Sequence, residues 1–278
     1  MTARGRLLSC LVTVVMALAG FVTAGALPAA AAPSAIQYVA LGDSYAAGTA
    51  IQPCTQSGIG YPALIDLESR IEFTKNAACS GATTETVVLP PELNSETRLV
   101  TLTVGAANLG LSDVAVACLA GTLPDCLKAI GTAQRELGDC PGGESPLGGQ
   151  LITLYGKVAE KAPNARIVVT GYPLLFEPPA DTDDSELAAK IRAINEATTT
   201  LNCVIERAVT AAKDEVNIHY VDVTKVFEKH SIGCTNSCTL FIYPAGPEAF
   251  HPTEAGYKAY ADAIKTKLPN GWLDKPSP

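Results

Sequence analysis

The chain has 278 residues, 47% of them hydrophobic, and a formal net charge of -8 from 20 Lys and Arg against 28 Asp and Glu. That is one domain's worth of chain with ample material for a core. Its acidity and lack of a basic stripe argue against nucleic acid or an anionic membrane surface as partner.

Arg4 and Arg6 open the chain, an apolar run follows from Leu7 to about Val22, and small residues fill Ala24 to Ala32. This reads as a secretory signal peptide, residues 1–31, cut after Ala30 or Ala31. No later run approaches the ~20 apolar residues of a membrane helix, so no transmembrane segment is expected. Residues 32–278 are then a single secreted, extracellular domain, expected as a monomer. Losing Arg4 and Arg6 takes its charge to about -10. Of the nine cysteines, Cys10 leaves with the signal; Cys54, Cys79, Cys118, Cys126, Cys140, Cys203, Cys234 and Cys238 remain. An even number in an exported chain predicts disulfides. Zinc is the weaker alternative, because Cys234 and Cys238 have no CxxC pair nearby.

Residues 36–41 are an apolar, β-rich run that stops at Gly42-Asp43-Ser44. A rigid strand that ends by presenting a Ser suits a nucleophile at the C-terminal edge of a sheet; the competing reading is a Ser that caps the next helix. A helix is expected over 61–69 and a strand over 70–78. That strand runs into Cys79-Ser80-Gly81-Ala82-Thr83-Thr84, with a helix starting at the threonines. Residues 98–104 read as a strong strand, ending at Gly105-Ala106-Ala107-Asn108-Leu109-Gly110. A helical stretch follows, then a loop region over 121–149. Residues 150–161 read as a helix and 166–170 as a strand. Asp184 or Ser185 caps a long helix running to about Lys213. Residues 216–223 form another strand, and 253–267 the last helix. Strands alternating with helices predict an α/β fold, a three-layer sandwich with a mostly parallel central sheet flanked by helices.

Three histidines are present. His219 falls in a strand-like run and His230 after a helix-like segment, and both read as ordinary core-edge or surface residues. His251 sits in Glu248-Ala249-Phe250-His251-Pro252-Thr253, just before the last helix. Glu248, three residues upstream, could hold Nδ1 and leave Nε2 to face a hydroxyl. Hydrolysis by Ser needs that set: a nucleophile, a base, and an acid that orients the base.

Four blocks in order now resemble the secreted actinobacterial branch of the SGNH (GDSL-type) esterases and lipases. They are Gly42-Asp43-Ser44-Tyr45, Ala78 to Thr84, Leu102 to Gly110, and Glu248 to Gly256. The resemblance implies the SGNH hydrolase-like, flavodoxin-like sheet. It also implies Ser44 as nucleophile, His251 as base, and an oxyanion hole from the Ser44 and Gly81 N–H groups with an Asn side chain. Neither cofactor nor metal is called for. The triad acid position holds Glu248 where the family usually has Asp. The third block departs further: aligned without a gap, the oxyanion Asn falls on Ala107. Either the loop shifts and Asn108 reaches inward, which is the expectation taken, or Asn108 caps a helix and that donor is missing. The resemblance also implies bridges Cys54–Cys79 and Cys118–Cys126; the remaining four cysteines stay unassigned.

The function expected is cleavage of carboxylic (acyl or lipid) esters by a Ser-His-acid mechanism. Alternatives are a carbohydrate deacetylase or phospholipase on the same scaffold, or a non-catalytic ester- or glycan-binding relative. Two apolar loops, 172–176 and 240–243, are candidates for an acyl pocket. Asp181, Asp183 and Asp184 read as helix capping rather than calcium ligands.

Overall fold

The computed structural model describes residues 35–51, 54–66, 70–235 and 238–273. The expected signal peptide lies outside them. The strands are β1 (Ile36–Gly42), β2 (Ile71–Asn76), β3 (Leu99–Thr103), β4 (Arg166–Thr170) and β5 (Ile218–Val221). They make one sheet in the order β2-β1-β3-β4-β5, every neighbouring pair parallel. All five expected strands are present.

The helices are α1 (Ser44–Ala47), α2 (Tyr61–Asp66), α3 (Leu111–Ala120), α4 (Leu123–Leu137), α5 (Pro146–Lys161), α6 (Glu186–Ala212), α7 (Thr224–Phe227) and α8 (Glu254–Lys265). They pack as two groups, α2 with α8 and α3 to α6 among themselves, around the sheet. A parallel sheet covered in this way buries its strands on both sides, and all five residues of β3 are buried. That puts the hydroxyls of Thr101 and Thr103 in the core. Thr101 Oγ1 pairs with the Tyr38 hydroxyl at 2.7 Å; Thr103 Oγ1 pairs with the Tyr61 hydroxyl at 2.8 Å and Thr170 Oγ1 at 2.6 Å. Each of these buried hydroxyls therefore has a partner, which burial demands.

Two expectations change. Residues 121–149 are not a loop: α4 occupies 123–137. Thr122 and Asp125 form a capping box at its start, Pro lies in its first turn, and Cys126, Ala133 and Leu137 are its buried residues. The segment is amphipathic at helical spacing, but Gly131 within it and Gly121, Gly138, Gly142 and Gly143 around it give the stretch a loop-like composition. No helix begins at Thr83: the chain turns there, and Thr86 Oγ1 accepts the Thr83 N–H at 2.8 Å. Elsewhere the caps match expectation, with Ser185 accepting from Ala188 at the head of α6 and Thr253 from Gly256 at the head of α8. Asp183 accepts the Ser185 N–H at 2.9 Å, a turn contact that agrees with the capping reading.

The eight cysteines form four bridges, Cys54–Cys79, Cys118–Cys126, Cys140–Cys203 and Cys234–Cys238. The first ties the loop after α1 to the loop after β2. Among the described residues, no helix is long and apolar enough to cross a membrane.

Candidate active site

The site collects at the C-terminal ends of the strands, where open parallel sheets bind ligands. Ser44 follows β1, Gly81 follows β2, Ala106 and Ala107 follow β3, and Tyr172 follows β4. Gly42 makes the first turn possible. Its φ is +130°, and a Cβ there would run into the Thr103 carbonyl of β3. The chain then bends at once into α1, where the Asp43 side chain accepts the Tyr45 N–H at 3.0 Å. Ser44 is thus the first residue of a short helix that stands at the sheet's edge. Gly81 has φ +78°, and a Cβ would meet nothing within 4 Å. The left-handed backbone, not lack of space, is what calls for glycine there.

His251 arrives from the other end of the chain. Its Nε2 lies 2.7 Å from Ser44 Oγ. Its Nδ1 lies 3.0 Å from the carbonyl oxygen of Ala249. A carbonyl only accepts, so Nδ1 carries the proton and Nε2 offers its lone pair to the Ser44 hydroxyl. Phe250 sits at φ +67°, a left-handed residue that folds the chain back and aims the imidazole at the carbonyl two residues upstream. Tyr243 braces this turn: its N–H donates to the His251 carbonyl at 2.9 Å, and its carbonyl accepts the Phe250 N–H at 2.8 Å. Burial pushes the imidazole below 6.5, opposed by the Ala249 carbonyl and the charge of Glu248.

Glu248 does not touch the imidazole, contrary to expectation. Its Oε1 accepts the Thr49 hydroxyl at 2.7 Å and its Oε2 accepts the Ala50 N–H at 2.7 Å. Both carboxylate oxygens are taken by the turn after α1, and Ala249 supplies the oxygen at Nδ1 in its place. The carboxylate ties the histidine loop to the nucleophile loop. Nothing in the sequence marked Ala249, because a backbone carbonyl has no residue signature.

Asn108 is also displaced from its expected role. Ala107–Leu109 form a single 3-10 turn, and it is Ala106 and Ala107 that line the cleft. The Asn108 amide turns to the glycine block. Its Oδ1 accepts the Thr84 N–H at 3.0 Å, and its Nδ2 donates to Thr84 Oγ1 and to Gln150 Oε1 of α5, both at 2.8 Å. An amide with these three bonds has been spent on holding a loop. It does not cap a helix either, since no side chain caps the 3-10 turn or α3.

Ser44, Gly81 and His251 open into one cleft of about 460 Å³, walled largely by apolar side chains: Leu111, Ala115 and Val116 of α3, with Tyr172, Pro173, Leu175 and Phe250. Of the two apolar loops expected here, only the first contributes. Leu240 and Tyr243 line a separate groove against α8. His219 bonds Asn217, and His230 bonds the Thr239 carbonyl and stacks on Phe241; neither lines the cleft.

The chain that carries this Ser–His pair is similar to known proteins over most of its length. Residues 40–259 match the model of the GDSL-like lipase/acylhydrolase family. The chain belongs to that family. Lipase 1 of Streptomyces coelicolor is 33% identical, over 91% of this chain and 94% of its own length. A lipase of Streptomyces rimosus is 31% identical, over 87% and 91%. The crystal structure of phospholipase A1 from Streptomyces albidoflavus NA297 superposes with a TM-score of 0.72 at 31% identity, covering 84% of this chain and 100% of that one. The extracellular lipase of Streptomyces rimosus gives the same TM-score at 28% identity. As a member of this GDSL-like family the protein is a carboxylic ester hydrolase.

Proposed function

We propose that this is an exported serine esterase that cleaves acyl esters, with Ser44 as nucleophile and His251 as the only side-chain base. The observation that carries the reading is the 2.7 Å contact from His251 Nε2 to Ser44 Oγ, with the far ring nitrogen held at the Ala249 carbonyl. His251 takes the Ser44 proton as Oγ bonds to the ester carbon. The carbonyl oxygen gains the negative charge beside the N–H groups of Ser44 and Gly81. The imidazolium then returns its proton to the departing alcohol oxygen as the carbon–oxygen bond breaks. Water repeats the sequence on the acyl-enzyme and releases the acid. The Ala249 carbonyl holds the imidazole in the needed tautomer and orientation, and Glu248 acts one step removed by fixing that loop. Removing one oxyanion donor typically costs ~10²–10³ in rate. A site with Ala107 in place of the usual Asn therefore runs on backbone donors.

The leaving alcohol must lie beside Nε2, so the acyl chain runs away from His251, along the apolar wall of α3. This favours longer aliphatic acyl esters over acetates, whose single methyl would leave most of that wall uncovered. The export reading rests on the residues 1–31 pattern and on the four disulfides.

A panel of p-nitrophenyl esters of rising chain length tests the reading, together with a serine-reactive phosphonate. Turnover, single labelling at Ser44 and its loss in Ser44→Ala are expected. Labelling at another serine sinks the assignment, and absence of turnover leaves only a binding protein.

A further inference from the structure

The steps above use Ser44 and His251 and leave a buried carboxylate beside the nucleophile without a task. Asp43 is 2% exposed. Its Oδ1 accepts the Tyr45 N–H at 3.0 Å, and its Oδ2 accepts the Tyr172 hydroxyl. Among the described residues no Lys, Arg or His forms an ion pair with it. Burying a charge without a cation is costly. Capping a four-residue helix does not require one, since Ser, Thr or Asn caps as well.

Tyr172 is the other half of the arrangement. Asn202 clamps its backbone on both sides: Asn202 Oδ1 accepts the Tyr172 N–H at 2.8 Å, and Asn202 Nδ2 donates to the Tyr172 carbonyl at 2.7 Å. The ring meets Tyr45 edge-on, 5.1 Å between centroids. Its hydroxyl, while donating to Asp43, accepts the Ala106 N–H at 3.2 Å. That one oxygen sits between the turn that carries Ser44 and the turn that lines the cleft after β3. Tyr45 extends the link, donating its hydroxyl to the Phe250 carbonyl at 2.6 Å, one residue before His251.

We propose, building on the ester-hydrolase reading above, that Asp43 and Tyr172 act as one positioning unit that holds the Ala106–Ala107 turn in register with Ser44 and so governs kcat through the backbone. The unit needs an ionised Asp43, which accepts from Tyr45 and Tyr172 at once. Protonation would turn one carboxyl oxygen into a donor aimed at a hydroxyl that already accepts from Ala106.

The titratable groups that face Asp43 are phenols: Tyr45 on its own turn, Tyr172 after β4, Tyr61 of α2, and Tyr257 and Tyr260 of α8. All are held in the neutral form, so no charge offsets the carboxylate. Burial pushes Asp43 up to about 7, while burial pushes His251 below 6.5. As pH falls, Asp43 loses its charge and His251 its basicity, two proton uptakes that both lower turnover. The acid limb of kcat/KM for the wild type should therefore steepen to a slope of about two.

The test is kcat and KM for p-nitrophenyl butyrate across pH, for the wild type, Tyr172→Phe and Asp43→Asn, with thermal unfolding as a control. Tyr172→Phe keeps the ring and loses only the hydroxyl; it should lower kcat by about tenfold to a hundredfold, the scale of a small misplacement, with KM nearly constant. Asp43→Asn should leave an acid limb with a slope of about one, set by His251 alone. A wild-type kcat in Tyr172→Phe or a change confined to KM overturns the unit, and a wild-type limb with a slope of one overturns the part assigned to the Asp43 charge. The last holds even if Asp43→Asn fails to fold. No turnover by the wild type overturns the hydrolase reading as well; turnover with an unaltered Tyr172→Phe overturns this proposal alone.

Discussion

A histidine whose Nδ1 faces a carbonyl and a carboxylate that bonds two neighbours instead make different claims on activity. His251→Ala removes the proposed base and should leave near-background turnover. Glu248→Gln keeps one acceptor for Thr49 or Ala50 and leaves the Ala249 carbonyl in the chain. It should cost far less than the ~10⁴-fold loss known where a triad acid is neutralised. It should also shift the imidazole. The Glu248 charge favours the imidazolium, so removing it lowers the His251 pKa further, and NMR titration of the ring should show the midpoint moving to lower pH. A loss as large as that of His251→Ala would restore Glu248 as the orienting acid. The Ala107–Asn108 pair gives a second test. Asn108→Ala frees the Thr84 loop and should lower stability by about 1–3 kcal/mol through its unmet buried partners, with a modest fall in kcat. Ala107→Asn adds a side-chain donor at the cleft and should raise kcat, by up to ~10² if the amide reaches the oxyanion. Steady-state kinetics beside denaturant unfolding separates the two effects.

In the proposed reaction, α3 decides which acyl chains the cleft accepts. Leu111 and Ala115 lie one helical turn apart on the face that lines it, the spacing that puts i and i+4 on one side. The Cys118–Cys126 bridge fastens the end of this helix to α4, which packs in turn on α6. The wall is therefore stiff, and its small residue at 115 leaves the space. Each buried methylene contributes ~0.8 kcal/mol, about a fourfold gain in kcat/KM per added carbon until the chain fills the cleft. Ala115→Leu should shorten that series, lowering kcat/KM for long acyl chains more than for acetate. A parallel loss at every chain length would mean the acyl chain lies elsewhere.

Across the whole molecule, the bridges differ in how much chain they constrain. Cys140–Cys203 joins the loop after α4 to the middle of α6 and closes 63 residues, whereas Cys234–Cys238 spans 4. Loop-closure entropy gives about 4 kcal/mol for the first and about 2 kcal/mol for the second. Cys140→Ser with Cys203→Ser should therefore lower the unfolding free energy about twice as much as the Cys234 and Cys238 pair. Thiol titration of the denatured, unreduced protein should find no free thiol in the mature chain.

The periodic parts of this fold were legible in the sequence. β1, β3 and β4 are runs of apolar residues broken by glycine or a turn, and α6 begins at a capping Ser, so local pattern and final structure agree. Ser44 and His251 were legible for a related reason, since the rigid strand end and the Pro-braced loop confine what those side chains can do. α4 was not legible, because Gly131 within it and the glycines on either side read as loop, although its amphipathic face packs on α3 and α6. Glu248 and Asn108 had the right chemistry for the expected roles. Their partners, Thr49, Ala50, Thr84 and Gln150, come from distant segments, and only folding determined which donors and acceptors reached them first. The oxygen at Nδ1 of His251 belongs to the backbone, which every residue carries alike, so its place there depends on the left-handed turn at Phe250 and on nothing a side chain announces.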